Sequence, residues 1–476
     1  MQTSVCLSSE KMACRVASRV SEKDIECKEC VVDIPSVLEP AEWPDECCIY
    51  RVPKRLRNVN KEAYTPYLVS IGPLHYRKRE LREMEKQKER YFKEFCFRTK
   101  KNRKDLALII EKKEANIRHC YAEPSRLGSR EFVSMILMDG IFIIELFLRT
   151  SEMKSDYILS KPWRRNSIQH DLILLENQLP FFVLKDLYTS VYGSSNQKEV
   201  YPNKGDTDPF LQLCRNYFSN YYDPKTEPNI GEEVKHFTDL LRYFFFPPNL
   251  LRIKEGENES QRIDHLYCAT KLDEAGVKFE AVEERHLTDI QFHKGSCLEH
   301  CPYLNCSWLL NCLPCLKCLV CLKSMQPFLE LPALIVDDTT ECVFRNLMAL
   351  EQCHYPTQAY ICNYILLLDY LINTEKDVDL LVEKKVIVNQ LGSDEAVATL
   401  VNKLGHQIVE VNSCHYKLSR KLNEHYEDFW NRNMATLTTV YFRDIWRGTA
   451  TVVGILILFL TVWNIFLRHF VKMPRT

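Results

Sequence analysis

Four carboxylates stand where a chain ordinarily keeps apolar side chains. Asp139 and Glu145 interrupt the run from Phe132 to Leu148, and Asp171 and Glu176 bracket Leu172 to Leu175. Paired with a histidine such as His75 or His170, they could serve as acid and base. That chemistry needs the two groups within hydrogen-bond reach in a pocket with shifted pKa values. The competing expectation is that each acid persists among apolar neighbours because a donor satisfies it. Spacing alone assigns no catalytic residue, no cofactor-binding residue and no metal ligand.

Cysteine is the second chemistry-bearing type. Of 21 Cys, seven fall at Cys297, Cys301, Cys306, Cys312, Cys315, Cys318 and Cys321, with His293 and His300 close by. Three readings stand. A metal centre needs four ligands converging tetrahedrally, usually from two knuckles separated by a fold, whereas the last four thiols wind round a helix at every third residue. An iron-sulfur cluster lacks its usual Cys-Pro continuation. S-acylation at Cys312, Cys315, Cys318 and Cys321 fits thiols exposed among leucines near a membrane. The third reading is an apolar segment tucked onto the body, its thiols acting as small hydrophobes.

A membrane is expected because Gly448 to Leu467 reads GTATVVGILILFLTVWNIFL, without a charge, between Arg447 and Arg468. At about 1.5 Å per residue such a helix covers roughly 30 Å of hydrocarbon. Trp446 and Trp463 sit where interfacial anchors belong, and Thr449, Thr451 and Thr461 can return their hydroxyls to the backbone. The expected partner through 448–467 is membrane lipid. With only 468–476 following as a short tail, the expectation is a single-pass, C-terminal tail anchor. Flanking charge does not orient it, since Arg432, Arg443 and Arg447 balance Arg468, Lys472 and Arg475. The missing signal sequence and the many thiols place the body in the cytosol.

Composition narrows the function further. The 476 residues carry 63 Lys plus Arg against 64 Asp plus Glu, a formal charge of -1, so no net field draws the molecule to nucleic acid. Apolar residues at 46% and charged residues at 27% describe a chain that folds. Thirteen Gly disfavour glycine-rich phosphate loops, and neither a phosphate loop nor a GxSxG elbow occurs.

The fold class expected is mainly α: a multi-helix globular body with a small antiparallel β-sheet and one C-terminal transmembrane helix. Residues 1–45 read as a flexible arm and 46–440 as the body, with a possible exposed insertion at 196–228 and a cysteine-rich insertion at 297–325. An extended Tyr67 to Ile71 ends at Gly72-Pro73. Helical spacing recurs from Glu80 to Phe97, and the apolar runs Phe132 to Leu148 and Leu172 to Tyr188 read as central helices, the second bending or restarting at Pro180. A helix is expected from Glu233 to Phe246. Period two appears at Val277 to Ala281, Asp289 to His293 and Phe328 to Leu331. Asp338-Thr339-Thr340-Glu341 reads as a capping box that launches a helix through Leu350. Helical spacing then returns from Tyr360 to Ile372, Asp377 to Val388 and Val397 to Val411. Leu418, Leu422, Tyr426 and Phe429 suggest a stalk towards the anchor.

These segments resemble the land-plant family catalogued as domain of unknown function 247. The resemblance is carried by IYRVPKRLRNVNKEAYTPYLVSIGPLH (Ile49 to His75), MEKQKERYF (Met84 to Phe92), MDGIFIIELF (Met138 to Phe147), DLILLENQLPFFVL (Asp171 to Leu184), LPALIVDDTTECVFRNLMALEQCH (Leu331 to His354) and DYLINTEKDVDLLV (Asp369 to Val382). The chain departs from that pattern where Leu74-His75-Tyr76-Arg77 lacks a glycine and where Arg443-Asp444-Ile445-Trp446 replaces an Asn-Pro-Trp type turn. The cysteine cluster looks like an insertion particular to this chain. The resemblance implies a helical, membrane-associated plant protein with no catalytic residues to carry over. Some grass members resemble pollen-side determinants of self-incompatibility, which implies recognition. The function expected is a membrane-anchored, non-enzymatic recognition or scaffold protein with a protein partner. The alternatives are an enzyme using the buried carboxylates and a metal-binding protein using the Cys/His cluster.

Overall fold

A computed structural model of the chain describes residues 46–193, 208–222, 234–245, 247, 262–295, 326–433 and 445–470. The arm at 1–45 and the cysteine-rich stretch at 297–325 lie outside the described residues. The six residues of α1 (Lys54–Val59) open the body, and charge alternating around Met84, Lys88, Tyr91, Phe92 and Phe95 gives α2 (Arg82–Thr99) one buried stripe. Lys100 then adopts a left-handed conformation (φ 57°) that turns the chain into α3 (Arg103–Glu111). Asn102 caps α3 by accepting from the Asp105 amide at 2.9 Å. After α4 (Glu114–His119) comes α5 (Ser129–Ser151), whose apolar residues occupy almost every direction round the axis. Such a helix is stable only if covered on several sides. α2 and α3 pack on it, as do α7 (Phe181–Tyr192) and α8 (Pro209–Tyr217), the latter two following α6 (Pro162–Asp171). Gly140 permits the α5 to α7 approach, because a Cβ there would meet Leu187 Cδ1 at 2.8 Å.

Two expectations for this half need correction. The run Leu172 to Tyr188 is not one helix: α6 ends at Asp171, residues 172–180 form an irregular buried link, and α7 restarts immediately after Pro180. Proline supplies no amide for the helix interior but suits a helix start. The stretch 196–228 is not wholly an exposed insertion either. Asp208 caps α8, and Phe210, Leu213, Cys214 and Tyr217 are buried against the core, Tyr217 stacking on Phe147 with ring centres 4.0 Å apart.

Farther along, the expected Glu233 to Phe246 helix is shorter, α9 (Phe237–Arg242), and α10 (Ala269–Glu274) precedes β1 (Lys278–Val282) and β2 (Gln291–Lys294). β3 (Pro327–Pro332) lies between them. It pairs antiparallel with β2 but parallel with β1, Phe279 opposite Leu329, so the sheet is mixed and not antiparallel. The chain reverses from β1 to β2 leaving one strand's width between them, and β3 enters that gap. A second, two-stranded parallel sheet joins β4 (Leu334–Val336) to β5 (Ile387–Asn389). β5 takes the end of what period alone read as helix through Val388.

The helix Thr340–His354 starts as expected with Thr339 at its N-cap, but the side chain that takes its first amides is Asp337, one residue before the expected Asp338. Asp337 Oδ1 accepts from the Thr339 and Thr340 amides at 2.9 and 3.0 Å, while Glu341 turns to Asn60 and Arg345. Tyr360–Leu371, Glu375–Glu383 and Asp394–Leu404 follow, the second held by a Thr374/Asp377 capping box. The helix Tyr416–Glu427 is docked on β2 and α10 through Leu422 and His425, so it is part of the body and not a free stalk. The last described helix is Ile445–Phe470.

Because Phe142 is fully buried on α5 against Tyr91, Phe142→Ala is expected to lower the unfolding free energy by about 3–5 kcal/mol. Denaturant titration of the detergent-solubilised chain measures it.

Candidate functional site

Residues 67–72 lead from the exposed Tyr67 into the interior without joining a strand, so their backbone amides must find acceptors elsewhere. Side chains supply them. Asp171, at the end of α6, accepts from Tyr67 N at 2.8 Å on one oxygen and from Leu68 N and Val69 N at 2.7 and 2.8 Å on the other. Asn177 accepts from Ile71 N at 2.7 Å and donates to Val69 O and Asp171 O. Asp139 of α5 accepts from Gly72 N at 2.9 Å and takes Lys88 Nζ at 2.6 Å, while Lys88 also donates to Ser70 O. Gly72 needs its φ of +70°, and a Cβ would lie 2.6 Å from Gln178 O. Burial pushes Asp171 up to about 7 against its three amide donors, and Asp139 up to about 6 against the Lys88 ammonium. Lys88, which burial would discharge, is held protonated by Asp139 and Glu85.

Glu176 anchors the neighbouring loop. Its Oε1 accepts from Val52 N at 2.8 Å, and its Oε2 meets Arg57 and stands 3.4 Å from His75 Nε2. Glu176 and His75 are 1% and 2% exposed. Burial raises the Glu176 carboxyl, but the His75 contact and the Arg57 guanidinium carry it below the ordinary range. Burial lowers His75 despite Glu176, leaving a neutral imidazole. This is the acid and base pair that the fold brings together.

The other expected acids are engaged separately. Glu145 pairs with Arg98 and, at 2.7 Å, with Arg149, which reaches Asp156 at 2.8 Å. His170 is half-buried and lowered by desolvation, and the charge acting on it is Asp337. Sequence reasoning missed a second buried pair, Arg242 of α9 with Glu351 at 3.0 Å. Glu351 also accepts from Ile361 N and Cys362 N, capping the helix Tyr360–Leu371. Lys88 carried a readable signal, a cation at a core position between Met84 and Tyr91.

Two surface grooves lie elsewhere. One, about 500 Å³, is lined by Asp105, Leu108, Ile109, Lys112, Lys113, Asp186, Thr189 and Ser190; the other, about 400 Å³, by residues from Glu341 to Lys403. Among the described residues no three His, Cys, Asp or Glu side chains converge on a metal position. His293 contacts Gln291 and Glu330, while His300 and Cys297 to Cys321 lie outside the described residues.

A family model described as a plant protein of unknown function, DUF247, matches residues 49–460. The chain is 27% identical to the UPF0481 protein At3g47200 of Arabidopsis thaliana over 90% of this chain and 87% of that one. It is 25% identical to the putative UPF0481 protein At3g02645 of the same plant, over 88% and 89%. No solved structure matches.

Asp171→Asn replaces an acceptor oxygen by a donor facing backbone amides, and is expected to cost about 2–4 kcal/mol of stability in denaturant unfolding. His75 is lowered in the fold below the ordinary 6.5, so the unfolded chain binds its proton first and the native state loses stability as pH falls below 6.5. Glu176, also lowered, adds a loss below 4.5. The stability gap between the wild type and His75→Gln is therefore expected to narrow from pH 7 to pH 5, as read from unfolding midpoints. A constant gap would remove His75 as the source.

Proposed function

We propose that this chain, which belongs to the DUF247 family of plant proteins of unknown function, is a membrane-anchored, non-enzymatic recognition or scaffold protein. The observation that carries the membrane part is the terminal helix. Thr449–Phe466 is long and apolar enough to cross a bilayer, and its side chains are not buried against protein, Leu458 being 67% exposed. Leaving leucine, isoleucine and phenylalanine in water forgoes about 1.5–3 kcal/mol each. Lipid removes that cost without any further protein contact.

The non-enzymatic part is supported by how the candidate acids are used. Asp139, Asp171, Glu145 and Glu176 each accept from backbone amides or pair with buried cations, and none of them lines either groove. The α3 to α7 groove, with Leu108 exposed beside Lys112 and Asp105, offers the mixed apolar and charged surface that suits a protein partner.

S-acylation at Cys312, Cys315, Cys318 and Cys321 belongs to the same reading. Gly295 N donates to Gln326 O at 3.3 Å, so the described residues that flank the cysteine-rich stretch lie side by side. That place adjoins the helix leading to the anchor: Phe292 faces His425 with ring centres 6.1 Å apart, and Lys294 acts on the His425 charge.

The wild type is expected to stay with membranes through alkaline carbonate washing. Leu456→Lys with Leu460→Lys, costing about 2.5–3.5 kcal/mol per lysine at mid-bilayer, should move it to the supernatant. A wild-type chain that washes off would end this reading. Thioester-linked acyl label should disappear when the four cysteines become serine, and crosslinking at the membrane should recover a saturable protein partner.

A further inference from the structure

The described cysteines are free thiols, and two of them are held side by side where the chain joins the folded body. Cys48 N and Ile49 N both donate to Cys120 O, at 3.0 and 2.8 Å, and Ala122 N donates to Ile49 O at 2.9 Å. Ile49 and Tyr121 thus form an isolated parallel bridge, with Cys48 immediately before it on one side and Cys120, the helical C-cap of α4, immediately before it on the other. One backbone hydrogen bond between Cys48 and Cys120 holds their Cα atoms about 5–6 Å apart. That spacing falls inside the roughly 4.4–6.8 Å between Cα atoms that a disulfide spans. Both residues are buried.

We propose that Cys48 and Cys120 form a reversible disulfide, a modification site that closes the start of the body onto the turn after α4. The two thiols act on each other: the Cys48 S–H favours the Cys120 thiolate, so Cys120 is lowered while Cys48 is raised. Cys120, whose Sγ also donates to Asn116 O at 3.3 Å, is taken as the attacking sulfur and Cys48 as the resolving one. With hydrogen peroxide as oxidant, the Cys120 thiolate attacks one peroxide oxygen and the O–O bond breaks, giving a sulfenic acid and hydroxide. The hydroxide takes the proton that Cys120 had released and becomes water. The Cys48 sulfur then displaces the sulfenic oxygen as a second water, its own proton leaving with that oxygen. Two thiols and one peroxide become one disulfide and two waters, sulfur losing two electrons and peroxide gaining them. A dithiol reductant reverses it by exchange.

The crosslink encloses Tyr67 to Gly72, so it also restrains the unfolded chain around the segment that Asp171 clamps. Cys47 is the internal control. It is adjacent in sequence, and its charge couples to both Cys120 and Cys353, so it is the competing partner that the experiment must separate from Cys48.

The full chain in detergent micelles is reduced, freed of reductant, exposed to hydrogen peroxide, alkylated, digested and analysed by mass spectrometry. The expected result is a peptide joining the 47/48 segment to the 120 segment that persists in Cys47→Ser and Cys353→Ser, vanishes in Cys48→Ser and on reduction, and accompanies an upward shift of the unfolding midpoint. A wild-type chain with no such peptide, or one whose crosslink requires Cys47 or ends at Cys353, overturns the proposal without reference to any folding defect of a variant.

Discussion

A stretch of backbone that enters a protein interior outside any strand needs acceptors for its amides, and five of the six amides of residues 67–72 find them on side chains. Asp171 alone takes three of those amides, and Asn177 and Asp139 take two more. The same three residues tie α5, the end of α6 and the irregular link before α7 to the N-terminal part of the body. The architecture of that half follows: α5 must be central because Asp139 has to reach Gly72, and the 172–180 link must be irregular because Asn177 and Gln178 turn their amides on its own carbonyls. Helix there would leave the clamp without its donors.

This use of charge explains why buried acids need not mean chemistry. Removing a carboxylate from water costs several kcal/mol, and the cost is met by converging amides or by a cation that cannot leave. Lys88 with Asp139, Arg242 with Glu351 and Arg57 with Glu176 are of the second kind. Each joins elements distant in sequence, so the pairs fix which helices meet. Glu351 does two things at once, neutralising Arg242 and capping the helix Tyr360–Leu371. His75 and Glu176 are the exception in composition, since they could exchange a proton, yet both are enclosed and Glu176 is held by Arg57 and the Val52 amide.

The remaining thiols and the terminal helix belong to a different physics. Apolar side chains on Thr449–Phe466 are not buried against protein, whereas most of those on α5 are buried. Both segments are predominantly apolar, but α5 carries Asp139 and Glu145 among its apolar residues while Thr449–Phe466 carries no charge. A body of helices locked by buried pairs presents fixed surfaces, and the proposed anchor would hold those surfaces next to a bilayer.

Local rules made the helices legible: three-and-four spacing located α2, α5 and Tyr360–Leu371, and the uncharged run located the terminal helix. The restart at Pro180 was visible too, because proline's missing amide acts on its own turn. What distant residues decide stayed hidden. Asp337 and Asp338 are alike as caps until the fold aims one of them, and β1 gives no sign that β3 will lie parallel beside it, since period two records only which side chains share a face. The apolar turn at Phe210 to Tyr217 looked like part of a polar insertion because its partner, Phe147, is more than sixty residues away. So the sequence alone determined where helix forms and that one segment is long and apolar enough to cross a bilayer, both being matters of neighbouring residues. Only the tertiary structure decided how Asp139, Asp171 and Glu176 are used, because the amides and cations that satisfy a buried carboxylate are brought to it by the folding of remote chain.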